Sequence, residues 1–140
     1  MSYLYVIVQG VLIVVIGITS QLTPNLFIIG GFALGLALMI WSLKTMRLSN
    51  LNIMPDLREN SALVTTGPYR WIRHPMYSAV LLMTLMLVLT DLTAVRCLYW
   101  IVLLLDLGLK FRYEESLLLK KHPEYAIYRK RTKMLIPFVF

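Results

Sequence analysis

The chain has 140 residues, of which 59% are hydrophobic and only 15% charged, whereas soluble domains are about half apolar and a quarter charged. The formal net charge of +7 could serve nucleic-acid binding, but the basic residues border apolar runs instead of forming a stripe on a polar module. We therefore expect an integral membrane protein that does not bind nucleic acid. The single cysteine, Cys97, excludes an internal disulfide and a cysteine-rich metal site.

Two uncharged segments open the chain. Residues 3–22 match the roughly 20 residues that cross a hydrocarbon core about 30 Å thick. A turn at Thr23-Pro24-Asn25 leads to a second apolar segment, residues 26–43. These segments predict a helical hairpin within residues 1–50. Gly31 and Gly35 have the GxxxG spacing, which predicts a close helix contact inside the bundle.

The third and fourth apolar segments are less uniform. Residues 76–90 precede Asp91 and number only 15, which as a helix gives about 22 Å and falls short of a full crossing. Residues 92–109 include Arg96 and Asp106. Ionisable side chains in such a segment predict that one face of the fourth helix contacts protein or water.

The basic residues predict the orientation of the chain. They concentrate between residues 44 and 73 and again between residues 110 and 133, with Arg96 alone on the other side. The positive-inside rule places both basic regions, and both termini, in the cytoplasm. We expect an all-α integral membrane protein with about four transmembrane helices and a cytoplasmic C-terminal helical tail, located in a bacterial or archaeal inner membrane.

The tail is predicted to be helical from residue 110 to residue 131, with a break near His122-Pro123. Proline lacks a backbone N–H and disfavours helical geometry in the residue before it, so we expect two pieces, residues 110–121 and 123–131. Arg112 and Glu115 are three residues apart, which places them on one face of the first piece.

Two motifs carry a family resemblance. Residues 65–77 read TTGPYRWIRHPMY, and residues 112–115, after an apolar hairpin, read RYEE. With Tyr125, Tyr128 and Pro137 downstream, this order resembles the isoprenylcysteine carboxyl methyltransferase family, which belongs with the membrane phospholipid methyltransferases. The resemblance covers residues 51–140. It implies S-adenosylmethionine as cofactor, a cofactor-binding region at residues 51–140 of a single membrane domain, and a lipophilic, lipid-like acceptor methylated on a carboxyl group.

The chemistry of such a donor fits the first motif. If Pro75 begins the third helix, the free N–H groups around His74 to Tyr77 suit the donor's carboxylate, and Arg73 would strengthen that pole. Ring faces of Tyr69 and Tyr77 would attract a sulfonium cation.

The second motif supplies acidic groups and an arginine. Glu114 or Glu115 suits the donor's ammonium or ribose hydroxyls, and Arg112 suits the acceptor carboxylate as a bidentate clamp. We assign catalysis to Arg112 and Glu115. We assign cofactor binding to Tyr69, Arg73, His74, Pro75, Tyr77, Glu114 and Glu115. No metal is expected, because two histidines without a carboxylate cluster make a poor metal site.

Other interpretations stay open. The first motif could be a basic and aromatic interfacial anchor, and the glutamates could form a solvated helix face. The same residues would permit phospholipid N-methylation, in which His74 becomes a candidate base. An NADPH-dependent reductase of the sterol reductase type and a non-enzymatic membrane scaffold are alternatives of other classes. The sequence does not fix the oligomeric state.

Overall fold

The computed structural model describes residues 2–21, 25–46 and 63–136. Within these ranges the chain is helical and has no strand, which confirms the all-α prediction. The elements in chain order are α1 (Ser2–Thr19), α2 (Leu26–Met46), a short 3₁₀ helix (Gly67–Arg70), α3 (Pro75–Leu89), α4 (Ala94–Lys121) and α5 (Tyr125–Arg131). Thr23, Pro24, the basic residues Arg47 and Arg58, and Pro137 lie outside the described residues.

One helix of the described chain is long and apolar enough to cross a membrane. This helix is α2, with 21 residues, whereas α1 and α3 are shorter apolar helices. Large apolar side chains are exposed along α1, α2 and the first half of α4, among them Ile18 at 77% and Leu26 at 85%. Such surfaces favour a lipid environment. Four spans, and the orientation of the termini, stay predictions.

Small residues let α2 approach α3 closely. A Cβ on Gly31 would lie 2.3 Å from Met86 Sδ, and one on Gly35 would lie 2.6 Å from Met83 Cγ. The GxxxG pair therefore makes a helix contact inside the bundle, as predicted. Between the helices lies an apolar core formed by Ile16, Leu81, Val88, Leu103, Leu107, Phe111 and Leu135.

Arg96 binds backbone oxygens at the end of α3 and in the loop between α3 and α4. Its side chain is buried, and its guanidinium donates hydrogen bonds to Asp91 O at 2.8 Å and to Leu87 O. The last carbonyls of a helix lack intrahelical partners, so Arg96 satisfies the end of α3. The buried charge of Arg96 is therefore compensated by backbone oxygens of the chain.

The tail continues α4 and then returns to the start of α3. Helix α4 runs for 28 residues and ends at extended His122, so the predicted break is confirmed, although α5 begins two residues after Pro123. Beyond α5, Lys133 pairs with the segment before α3: Arg73 N donates to Lys133 O at 2.8 Å, and Lys133 N donates to Trp71 O at 2.9 Å. The segment that follows α5 thus lies against the first motif.

Candidate active site

A tight turn sets the direction of the first motif. Gly67 has φ +57, and a Cβ there would lie 2.5 Å from Thr45 Oγ1 at the end of α2. Both the backbone angle and the close approach require glycine. Pro68 lies in the first turn of the 3₁₀ helix, and Pro75 starts α3 with His74 as its N-cap. The motif therefore lies across the start of α3, as the position of Pro75 predicted.

Glu115 is the centre of the cluster. It is 4% exposed, and its Oε1 accepts a hydrogen bond from Arg73 Nε at 2.6 Å. His74 Nε2 lies 3.4 Å from the same oxygen, and Arg129 Nε lies 3.3 Å from Oε2. Burial by itself raises the pKa of Glu115, but the contacts with His74 and Arg73 outweigh it and lower the pKa to about 2. Glu115 is therefore an ionised, fixed carboxylate.

Arg73 joins three parts of the chain. Besides its bond to Glu115 of α4, its Nη1 donates to Arg129 O at 3.1 Å and to Thr132 O at 2.5 Å, at the end of α5. The guanidinium therefore holds the tail against α4 and the start of α3. Nε and Nη1 of Arg73 therefore bind protein oxygens, and its predicted role beside a ligand carboxylate stays a prediction.

Glu114 has a different environment from its neighbour. Its Oε1 accepts a hydrogen bond from Tyr77 Oη at 2.5 Å, and its Oε2 lies 3.8 Å from His74 Nδ1. Burial raises the pKa of Glu114 and outweighs the opposing effect of His74. Two adjacent carboxyl groups thus have pKa values shifted in opposite directions, which is typical of residues with separate roles in one site.

The ring of Tyr77 already contacts a cation of the chain. The His74 ring is stacked on it with centroids 5.5 Å apart, and Lys110 Nζ lies 5.2 Å from its centroid. Lys110 is 3% exposed and donates to Gln9 Oε1 of α1 at 3.1 Å. Lys110 therefore makes a cation–π contact with Tyr77, and the contact between Tyr77 and a sulfonium stays a prediction.

Backbone donors at the start of α3 are fewer than predicted. His74 N–H donates to Met134 O, and Tyr77 N–H donates to His74 O, each at 3.1 Å, while Pro75 has no N–H. Neither His74 nor Tyr77 therefore offers a free N–H to a ligand carboxylate, which corrects that part of the prediction. The His74 side chain is buried, and its Nε2 contacts Glu115 without a hydrogen bond to any described residue.

Two tyrosines border the cluster on the tail side. Tyr128 Oη donates to Tyr69 O at 2.6 Å, which joins α5 to the 3₁₀ helix. Tyr69 is 4% exposed, and its buried Oη has no hydrogen-bond partner in the part of the chain that the structure describes. Burial raises the pKa of Tyr69 above its ordinary value and raises that of Tyr128 to about 12. Both phenols are therefore protonated at neutral pH and can donate.

Arg112 differs from the other predicted site residues in its exposure. Its side chain is exposed, whereas Glu115 three residues later is buried. The structure thus brings together Tyr69, Arg73, His74, Pro75, Tyr77, Glu114 and Glu115 and leaves Arg112 at the surface of α4.

Sequence reasoning missed Arg129 and Lys110 as members of the cluster. Arg129 shares the spacing i, i+3, i+4, i+7 with Tyr125, Tyr128 and Thr132, a spacing that marks one face of a helix. All four contact or approach the cluster, so this spacing was a usable signal. Lys110 precedes Glu114 by four residues, which also places it on the face of α4 that carries the site.

The cluster has polar atoms that could bind a ligand. Glu114 can accept from an ammonium or a hydroxyl, and Tyr69 Oη is a buried polar atom in need of a partner. Among the described residues, no group of three or more His, Cys, Asp or Glu side chains is placed to hold a metal ion.

Comparisons with known proteins place the chain among membrane enzymes. A family model described as phospholipid methyltransferase matches residues 24–125, which include both motifs. Over 81 residues the chain is 37% identical to the cobalt-zinc-cadmium resistance protein CzcN of Cupriavidus metallidurans. The aligned region is 57% of this chain and 38% of that protein, so the chain spans well under half of that relative's length.

Proposed function

Because the chain belongs to the phospholipid methyltransferase family, a family of membrane methyltransferases, we propose that it transfers a methyl group from S-adenosylmethionine to a lipophilic acceptor. The acceptor group we propose is the carboxyl of an isoprenylcysteine-like molecule. The observation that supports this most is the meeting of the two motifs: Glu115 with Arg73 and His74, and Glu114 with Tyr77. An interfacial anchor or a solvated helix face would not require such buried pairing.

Each acidic residue has its own part in donor binding. Glu115 is bound by Arg73 and fixes the position of His74 and of the tail. Because Arg73 and His74 already contact Glu115, we propose that Glu114 binds the donor. A bound ammonium or sulfonium would favour the ionised form of Glu114. Tyr69 Oη and His74 Nε2 can complete the site by hydrogen bonding to ribose or carboxylate oxygens.

The reaction needs positioning more than proton transfer. When bound, S-adenosylmethionine supplies an electrophilic methyl group, which forms a C–O bond with the acceptor while the sulfur keeps the electron pair of the broken C–S bond. A carboxylate acceptor is ionised near pH 7 and needs no general base. The residues of the cluster would therefore act by aligning the reactants and excluding water. Arg112, exposed on α4, is proposed as the clamp for the acceptor carboxylate.

Phospholipid N-methylation is the second candidate, and the description of the matching family favours it. An ammonium acceptor must lose a proton before its nitrogen can attack a methyl group. His74, buried between the two glutamates, is then the proposed base. The two candidates share one donor site and differ in the acceptor alone.

Calorimetric titration of the purified protein in detergent tests the donor. S-adenosylhomocysteine should bind and NADPH should not, and His74→Ala should weaken binding while the protein stays folded. Lys120→Ala, at an exposed position near the end of α4, is the control and should bind like the wild type. Binding of NADPH alone would instead indicate a reductase, and binding of neither ligand by folded protein would indicate a scaffold.

Methyl transfer from labelled S-adenosylmethionine then distinguishes the acceptors. Label recovered as a base-labile ester of S-farnesylcysteine would support carboxyl methylation. Label recovered as a base-stable methylamine of phosphatidylethanolamine would replace it with N-methylation.

A further inference from the structure

A second polar cluster lies deeper in the bundle on the same face of α4. Asp106, Lys110 and Glu114 follow one another at intervals of four residues, which places them in one row along the helix. Asp106 is 8% exposed and Lys110 is 3% exposed. The row therefore leads from the candidate donor site into the apolar part of the molecule.

Asp106 has an unsatisfied oxygen in this row. Its Oδ2 is buried and accepts no hydrogen bond from any residue in the described ranges. Its neighbours along α4 include Leu103 and Leu107, both fully buried in the apolar core. A buried polar atom without a partner is costly, so Asp106 Oδ2 is suited to accept a hydrogen bond from a ligand.

The row is connected to the donor site by direct contacts. Lys110 Nζ lies 5.2 Å from the centre of the Tyr77 ring, and Tyr77 Oη donates to Glu114. A ligand bound at Asp106 would therefore lie one helical turn from Lys110 and about 12 Å along α4 from Glu114, within reach of a donor bound there.

We propose that Asp106 selects the methyl acceptor by accepting a hydrogen bond from an N–H group of its headgroup. The inference rests on the proposed function and deepens it. The acceptor class is then a lipophilic molecule with an N–H donor close to the methylated group. An isoprenylcysteine-like amide and the ammonium of an aminophospholipid share this chemistry. Lys110, one turn nearer the donor site, gives the row a positive charge between its two carboxyl groups.

Matched ligand pairs test the proposal by calorimetry, with the protein in detergent and saturated with S-adenosylhomocysteine. The first pair is N-acetyl-S-farnesylcysteine, which has an N–H group, and S-farnesylthiopropionic acid, which has none. The second pair is phosphatidylethanolamine and phosphatidylcholine, which differ in the same way. In one of the pairs the wild-type protein should bind the N–H member about 10- to 100-fold more tightly, the range for a hydrogen bond to a charged group. The pair that shows the difference identifies the source of the headgroup.

Variants at Asp106 complete the test. Asp106→Leu should abolish the preference and leave affinity for S-adenosylhomocysteine unchanged, and Leu105→Ala, at a 62% exposed position, should keep the preference. If Asp106→Leu does not fold, Asp106→Asn retains the shape and should reduce the preference several-fold. Equal binding within both pairs, or an unchanged preference in the variant that folds, would overturn the proposal. If wild-type protein does not bind S-adenosylhomocysteine, the donor assignment is overturned, and the Asp106 proposal falls with it. The ligand pairs test only the Asp106 proposal, so the two failures can be distinguished.

Discussion

Replacing Glu115 with Gln removes the charge that compensates Arg73 and keeps the shape of the side chain. The two side chains are 5% and 8% exposed, and Arg73 Nε lies 2.6 Å from Oε1. A hydrogen bond between charged groups contributes about 1.5–3 kcal/mol, and one between neutral groups about 0.5–1.5 kcal/mol. We therefore expect Glu115→Gln to lower the free energy of unfolding by about 1–2 kcal/mol. Glu115→Ala, which leaves Arg73 buried without its carboxylate, should cost about 3–5 kcal/mol.

Arg129→Gln is the matched control, because Arg129 contacts the other oxygen of the same carboxylate. The Arg129 side chain is 50% exposed, so its removal should cost less than about 1 kcal/mol. Thermal unfolding in detergent, followed by tryptophan fluorescence, measures both variants. At roughly 2–4 °C per kcal/mol for a chain of about this size, Glu115→Gln should lower Tm by about 2–8 °C. A larger loss in Arg129→Gln than in Glu115→Gln would refute the assignment of Arg73 as the main partner.

The pH dependence of Tm gives an independent check. The pKa of Glu115 is about 2 in the folded chain, against an ordinary value of 4.5. The unfolded chain therefore takes up this proton at higher pH than the folded chain, so acid favours unfolding. The stabilisation is complete above about pH 4.5 and is lost as pH falls through about 2. Wild-type Tm should fall more steeply than that of Glu115→Gln over this interval, and parallel slopes would contradict the ion pair.

Three further outcomes are expected. Tyr77→Phe removes one buried hydrogen bond and keeps the ring, so calorimetry should show weaker binding of S-adenosylhomocysteine and Tm should fall by the equivalent of about 1 kcal/mol. Gly35→Ala should lower stability by about 1–3 kcal/mol, because its Cβ would meet Met83 Cγ at 2.6 Å, whereas Gly30→Ala has open space and should be neutral or stabilising. Arg112→Lys should lower the turnover rate more than donor affinity and leave Tm within about 0.5 kcal/mol of wild type; equal losses of rate and affinity would count against an acceptor clamp.

Local chemical signals were enough to locate most helices. The third segment was predicted at residues 76–90 and is found at Pro75–Leu89, because proline and the following apolar run determine its start and length. The break at His122 was predicted for a similar reason, since the residue before proline disfavours helical geometry. These features depend on neighbours in sequence, which a sequence displays directly.

The partners of the charged groups could not be read in the same way. Arg73 meets Glu115 and Thr132, which are 42 and 59 residues away, and only the packing of the tail brings them together. Arg112 and Glu115 are three residues apart, which is an offset of about 60° around a helix. That offset is enough for one side chain to be exposed and the other buried, so helical spacing alone did not decide which of them joins the site.

The pairing of Arg73 with the end of α5 has a consequence for biosynthesis. The ribosome makes the first motif long before it makes residues 129–134, whose carbonyls receive the guanidinium and the backbone donors of Arg73 and His74. During that interval α3 and α4 can insert and pack, but the tail residues that bind Arg73 and His74 have not yet been made. Completion of the site should therefore be a late event in synthesis, and a nascent chain stalled before residue 129 should bind no methyl donor even when its helices are already inserted.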